Sequence, residues 1–345
     1  MKLPRLTTLL SVLSISGCIS LTHAAIPPVA SPSPASTMLS QQGRDPAQFP
    51  AWVEQLKATA RQQGFHQATI DTAFTGIHFV DRVIKSDRGQ LENNITLNDY
   101  LSRVLTSGKI EKAREKLSEY RAQLDSVAAA SGVSPAFIIA LWAMESQFGT
   151  IQGKEEVISA LATLAFEGRR KAFFTKELMA ALRIIQQQGL AADALKGSWA
   201  GAMGQSQFMP SSFLNYGKDG DGDGKIDIWN NVDDVFASVA NYLQKEGWKA
   251  GQGWGTEVSL PPGFDASLSG LKTAQAKTPM AWQQLGVVVN AAPQGDVPDR
   301  AWIVTPEEGN GRSFMVYDNF RTLMHWNRSY YFAISIGMMA DAVAR

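Results

Sequence analysis

The stretch LWAMESQFG, residues 141–149, lies in the most apolar run of the chain and carries a single carboxylate, Glu145. Ser134 and Pro135 precede it as an N-cap followed by proline at the first helical position, so a helix starts there and ends near Gly149. On that helix Ile138, Leu141, Trp142 and Glu145 fall on one stripe at i, i+3, i+4 and i+7. Glutamate is seldom buried without a partner, and desolvation on such a face disfavours the anion. A carboxyl group with a raised pKa can donate a proton near neutral pH, which is what cleavage of a glycosidic bond requires. The spacing alone equally allows a structural ion pair between Glu145 and Arg169 or Arg170.

The 345 residues suffice for one large or two medium domains with a substantial core. Thirty-two basic and thirty-two acidic side chains leave no electrostatic footprint for nucleic acid. The N-terminus, MKLPRLTTLLSVLSISGC, has the basic and short apolar regions of an export signal, within residues 1–25. Two processing sites are open: ISGC is a lipobox that would lipidate Cys18, and THAA allows ordinary cleavage near Ala24 or Ala25. The lipobox is favoured, which would attach the protein to the outer membrane; either route places it in the periplasm. Cys18 is the single cysteine, so the exported chain has no intrachain disulfide and depends on its core and any bound metal. Residues 26–45, rich in Pro and Ser, read as a disordered tether.

Beyond the tether the pattern is helical. AWVEQLKATARQQG carries apolar residues at i, i+4 and ends at Gly64, and residues 96–132 read as two amphipathic helices. ISALATLAFEGRRKAFFTKELMAALRIIQQQG gives two more, and VDDVFASVANYLQKEGW another. From about Gly251 short β-prone runs separated by Gly and Pro predict a small antiparallel sheet, before the chain returns to helix at NRSYYFAISIGMMADAVA, where Met338 and Met339 suggest core filling. The expected architecture is mainly α (α+β). It comprises a helical domain over 46–130 joined by the C-terminal helix 327–345, a helical core over 131–250, and a β-rich domain over 251–326.

The loop DGDGDGKIDIWN, residues 219–230, follows the EF-hand pattern. Asp219, Asp221 and Asp223 stand at positions 1, 3 and 5, Gly224 turns the chain at 6, and Lys225 offers its carbonyl at 7. Three clustered carboxylates repel one another unless a hard cation joins them, so the cofactor expected is a structural Ca²⁺; position 12, normally glutamate, is Asn230. The four histidines have no zinc spacing, and no phosphate-binding glycine fingerprint is present.

Several longer motifs point to one family. ESQFG, VISALATLAFEGRRKAFF, LKGSWAGAMGQSQFMPSSF, DGDGDGKIDIWNNVDDVFASVANYL and VYDNFRTLMHWNRSYYFAISIG occur in that order, with SDRGQ and DYLSRV upstream. Over roughly residues 48–341 the chain resembles the lytic murein transglycosylase B family of bacterial cell-wall enzymes, which implies a lysozyme-like helical core. The resemblance implies that Glu145 is the single catalytic acid/base and that Ser198, Gln207 and Phe208 line the saccharide groove. Tyr100, Tyr242, Trp326 and Asn327 would face the same groove. Gln147, Trp326 and Phe332 depart from residues common in the family, and a hydroxyl is lost at position 332. The resemblance also lengthens the calcium loop, to residues 219–234, so that Asp234, or Asp233 if the alignment slips by one, closes it.

The reaction implied is cleavage between N-acetylmuramic acid and N-acetylglucosamine of peptidoglycan with formation of a 1,6-anhydro ring, by a monomer whose partner is the glycan strand. Two other readings stay open from the residues: a hydrolase using the same glutamate, and a calcium-stabilised wall-binding protein without catalysis.

Overall fold

The computed structural model describes residues 44–89, 95–307 and 311–345; the export signal, Cys18 and nearly all of the 26–45 tether lie outside them. The described residues form fourteen α-helices and two small antiparallel sheets. They divide into two compact units, each discontinuous in the chain. Of the described residues, one contains 95–151 and 216–345, the other 44–89 and 152–215. The chain changes unit at 151/152 and 215/216, whereas the sequence pattern set boundaries near 130 and 250. Those boundaries followed changes in local composition, and the units are defined by long-range packing.

The larger unit is built around one buried helix. Its helices are α4 (Leu97–Val104), α5 (Ser107–Glu119), α6 (Arg121–Ser131) and α7 (Pro135–Ser146), then α11 (Val232–Lys245), α13 (Asp318–Trp326) and α14 (Tyr330–Ala344). Residues 96–132 thus give three helices where periodicity suggested two. Thr106 caps α5 by accepting from the Lys109 amide at 3.3 Å, and Tyr120 leaves helical geometry between α5 and α6. Helix α7 begins at Pro135, as expected, although Ser134 forms no side-chain cap. Residues Ala136 to Ala143 of α7 are all buried, packed by α5, α6, α11 and α14. A helix apolar on every side is stable only when wrapped this way. Met339 is fully buried in α14, in keeping with a core-filling role.

The same unit carries the four-stranded sheet, in the order β4 (Val288–Val289), β3 (Gly255–Ser259), β6 (Ser313–Val316), β5 (Trp302–Val304). All pairings are antiparallel, with Val258 opposite Val289, Gly255 opposite Val316 and Trp302 opposite Val316. Trp282 from α12 (Pro279–Gln284) fills its core with Val258, Val287, Ile303, Met315 and Tyr317. Trp254, just before β3, lies on Gly337 of α14 and donates its indole N–H to Asp341 at 3.0 Å. A Cβ at 337 would stand 2.2 Å from that ring, so only glycine permits the approach.

The smaller unit holds α1 (Phe49–Gln62), α2 (Gln67–Phe74), α3 (Asp81–Gly89), α8 (Val157–Glu167) and α9 (Lys171–Gln188), with the two-stranded antiparallel sheet of β1 (Glu155–Glu156) and β2 (Lys196–Gly197). Helix α8 is its buried centre: Val157 to Phe166 are all inaccessible. Polar bonds fix what packs on α8, with Trp52 Nε1 donating to the Ala162 carbonyl at 3.2 Å and the Val80 amide to Thr163 Oγ1 at 3.1 Å. A seven-residue helix, α10 (Pro210–Tyr216), ends at the passage into the larger unit.

Candidate active site

Glu145 stands on the last turn of α7. The first two residues beyond α7, Gln147 and Phe148, both have left-handed backbone, φ 49° and 58°, and the Phe148 N–H returns to the helix end, bonding the Trp142 carbonyl at 3.2 Å. Non-glycine residues seldom adopt this conformation, and strain of this kind concentrates at functional sites. Phe148 then packs its ring perpendicular to Trp142 at 5.5 Å. The abrupt stop leaves Glu145 at the end of a rigid, buried helix.

Glu145 retains partial exposure, but protein is dense around its carboxyl group. That desolvation pushes its pKa up to about 8, against the pull of one donor: Trp326 Nε1 gives its proton to Glu145 Oε1 at 2.7 Å. The carboxyl is therefore largely protonated at neutral pH. The arginines considered as its ion-pair partners are otherwise engaged. Asp87, 2% exposed, takes Arg169 at 2.5 Å and Arg170 at 2.6 Å within the smaller unit.

Four residues named from the sequence share the larger unit with this acid. Trp326 ends α13 and bonds the carboxyl directly. Tyr242 of α11 stacks on Trp326 with ring centroids 4.6 Å apart. Tyr100 of α4 hydrogen-bonds Ser335 of α14; burial raises its phenol pKa, and the charge of Glu145 raises it further. Asn327 follows Trp326, is 8% exposed, and its amide bonds the Leu323 carbonyl at 3.1 Å.

Sequence reasoning missed the groups behind them. Tyr216 lies 4.2 Å from the Tyr242 ring and donates its hydroxyl to Glu246, while His325 Nδ1 meets the other oxygen of Glu246 at 2.9 Å. These are isolated polar residues at helix ends, with no motif spacing to mark them.

Ser198, Gln207 and Phe208 belong to the smaller unit, in the loop after β2. Met203 pairs with both Gly197 and Phe208, folding the loop into a tight double turn. The Ser198 hydroxyl accepts from the Ala202 amide at 3.1 Å. Gln207, left-handed at φ 49°, donates to the carbonyls of Gly204 at 2.8 Å and Gln152 at 3.1 Å, and its buried Oε1 has no protein partner. Phe208 is 3% exposed, so its ring belongs mainly to the interior and offers little face to a ligand.

In the Asp-Gly loop, ligand atoms of Asp219, Asp221 and Asp223 lie within 4.8 Å of one another. Backbone amides shape it: Asp219 accepts from Gly222 at 2.6 Å and Gly224 at 2.8 Å, which holds its carboxyl below the usual range. Hard oxygen donors so spaced suit a Ca²⁺ ion. Asp234, fully buried, accepts from the amides of Gly220 at 2.7 Å and Asp227 at 2.6 Å. Both its oxygens thus serve the loop backbone, and burial raises its pKa. Asp233 is half-buried at the start of α11, its own amide capped by Asn231.

The family model described as transglycosylase SLT domain matches residues 48–341. A curated relative, membrane-bound lytic murein transglycosylase B of Escherichia coli, is 32% identical over 253 residues; the match covers 71% of this chain and 66% of the relative, about two thirds of its length. The structure of SltB3 from Pseudomonas aeruginosa in complex with NAG-NAM-pentapeptide is 38% identical, with a TM-score of 0.80, and covers 86% of this chain and 79% of that one. The Escherichia coli lytic transglycosylase SLT35, solved in complex with calcium, is 27% identical with a TM-score of 0.72, over 85% and 92% of the two chains. With a match over most of its length and a lysozyme-like fold shared with these enzymes, the chain belongs to the transglycosylase SLT domain family.

Proposed function

We propose that the protein is a lytic transglycosylase that cleaves the β-1,4 bond between N-acetylmuramic acid and N-acetylglucosamine of peptidoglycan, with Glu145 as its single acid/base. The observation that carries this reading is the desolvated Glu145 carboxyl at the end of α7, its pKa pushed up to about 8 by burial and its Oε1 bonded by Trp326 Nε1. Family membership and relatives solved with NAG-NAM-pentapeptide and NAG-anhNAM-pentapeptide support the substrate class.

Glu145 gives its proton to the oxygen linking the two sugars as that C–O bond breaks. The substrate's acetamido oxygen stabilises the resulting ring cation, which removes the need for a second carboxylate. The Glu145 anion then takes the proton of the C6 hydroxyl, whose oxygen bonds C1. The proton returns to Glu145, water is not consumed, and the product carries a 1,6-anhydro ring. Tyr100, Tyr242, Trp326 and Asn327 contact the sugar beside the acid. The family resemblance assigns Ser198 and Gln207 to saccharide binding as well, and the buried Gln207 Oε1, which has no protein partner, is an acceptor for a substrate N–H or O–H. Phe208 serves there through its backbone more than its ring.

Asp219, Asp221, Asp223 and the Lys225 carbonyl hold a structural calcium ion, consistent with a relative solved in complex with calcium. Asp234 closes the loop beneath it through the two amides it accepts. The protein works as a monomer on glycan strands in the periplasm, attached to the outer membrane through Cys18. No single helix among the described residues is long and apolar enough to cross a membrane.

The test is digestion of purified murein by the wild type and by Glu145→Gln. Anhydro-muropeptides are expected from the first, and from the second at a rate lower by about 10²–10⁴-fold; turnover by the variant near the wild-type rate would reject the assignment.

A further inference from the structure

Glu246 joins both supports of Trp326. Its Oε1 accepts from the Tyr216 hydroxyl, whose ring lies 4.2 Å from Tyr242, and Tyr242 in turn lies 4.6 Å from Trp326. Its Oε2 pairs at 2.9 Å with His325, the residue that directly precedes Trp326. The indole is therefore packed by the tilted Tyr242 ring, with Tyr216 behind that ring, and its backbone is held by the contact of His325 with Glu246, with one carboxylate at the root of both. Glu246 can do this because it caps α11, its amide bonding the Tyr242 carbonyl at 2.9 Å, so its side chain issues from a fixed point.

We propose that Glu246 is a positioning residue for Trp326: by clamping Tyr216 and His325 together it keeps the indole N–H on Glu145 and so sets how tightly Glu145 holds its proton. The inference rests on the reading of Glu145 as the acid for its functional meaning, though not for its physical content. An N–H donated to a carboxylate favours the anion, so a displaced indole leaves Glu145 with a higher pKa. The titratable groups around this arrangement are Tyr100 from α4 facing Glu145, and Tyr216, Tyr242, His325 and Arg328 around Glu246 and the rings. Burial and the Glu246 carboxylate push the Tyr216 phenol up to about 12, so it stays a hydrogen-bond donor across the whole working range.

The experiment reads the Glu145 titration without using activity. Melting temperatures of each protein and of its Glu145→Gln partner are measured from pH 5 to 10, and the pH at which their difference levels off reports the pKa of Glu145. Trp326→Phe keeps a ring and removes the donor, and sets the full upward shift. Glu246→Ala should move the titration upward by about half a pH unit or more. The double variant Trp326→Phe/Glu246→Ala should titrate no higher than Trp326→Phe alone, because the second change acts through the first. Glu246→Asp should reverse part of that upward shift. A Glu145 titration unmoved by Glu246→Ala, or shifts that add in the double variant, would overturn the proposal. Muropeptide assays on the same proteins report separately on Glu145 as the acid, so the two readings fail independently.

Discussion

At the scale of the residue, Glu145 joins two opposed influences. Desolvation at the end of a buried helix raises its proton affinity, and the Trp326 indole lowers it; desolvation wins. The consequence for activity has a definite sign. Only the protonated form can donate to the leaving oxygen, so kcat/KM for murein should fall above about pH 8, and a pH–rate profile whose alkaline limb falls nearer the ordinary carboxyl value of 4.5 would contradict it. The consequence for stability follows from linkage. Between pH 4.5 and about 8 the folded chain holds a proton that the unfolded chain has released, so stability falls as pH rises through that window and levels off above it. Glu145→Gln carries no such penalty. Relative to the wild type, its stability should gain increasingly from pH 4.5 towards pH 8, by at most about 1.4 kcal/mol per pH unit, read as a growing difference in melting temperature. The apolar stripe and Pro135 made Glu145 legible in the sequence, because helical periodicity is local. Trp326 as its donor was not, since the bond spans 181 positions. The burial of Phe208 was equally hidden, as a motif records residue type and not which face turns inward.

At the scale of the element, two features decide local stability. Helix α14 admits the Trp254 ring only because residue 337 lacks a Cβ. Gly337→Ala would force the indole or the helix to move, at a cost of about 1–3 kcal/mol, read as a lower denaturation midpoint at unchanged slope. The aspartate-glycine loop is the second. If calcium fills it, chelation should lower the melting temperature, by about 2.7 kcal/mol of stability when free calcium stood at a hundred times its Kd. Replacing Asp221 and Asp223 together with Asn should abolish that sensitivity, whereas an identical melting curve with and without chelator would leave the loop a plain turn. The pattern of positions 1, 3, 5 and 7 was legible because it is contiguous. The part played by Asp234 was not: its carboxylate accepts the amides of Gly220 and Asp227, and spacing alone did not separate it from Asp233. Likewise the break at Tyr120 divides a stretch whose periodicity read as one helix, since a single non-helical residue barely disturbs the pattern.

For the whole molecule, composition and hydrophobic period gave the class correctly, mainly helical with a small antiparallel sheet. They did not give the grouping into units, because each unit is assembled from separated stretches of chain, described residues 95–151 with 216–345 and 44–89 with 152–215. Composition shifts mark where the chain changes character; they carry no record of which distant segment it returns to. The family motifs were visible because they run in order over most of the chain, and the match over residues 48–341 reflects the same continuity. The central claim is that one protonated carboxyl, Glu145, cleaves murein without water. Mass spectrometry of muropeptides released from purified sacculi measures this directly. The wild type should release 1,6-anhydromuramic ends, one water lighter than hydrolytic products, and Glu145→Gln should lose about 10²–10⁴-fold of that rate while remaining folded. Reducing ends in place of anhydro ends, or anhydro products from Glu145→Gln at the wild-type rate, would contradict it.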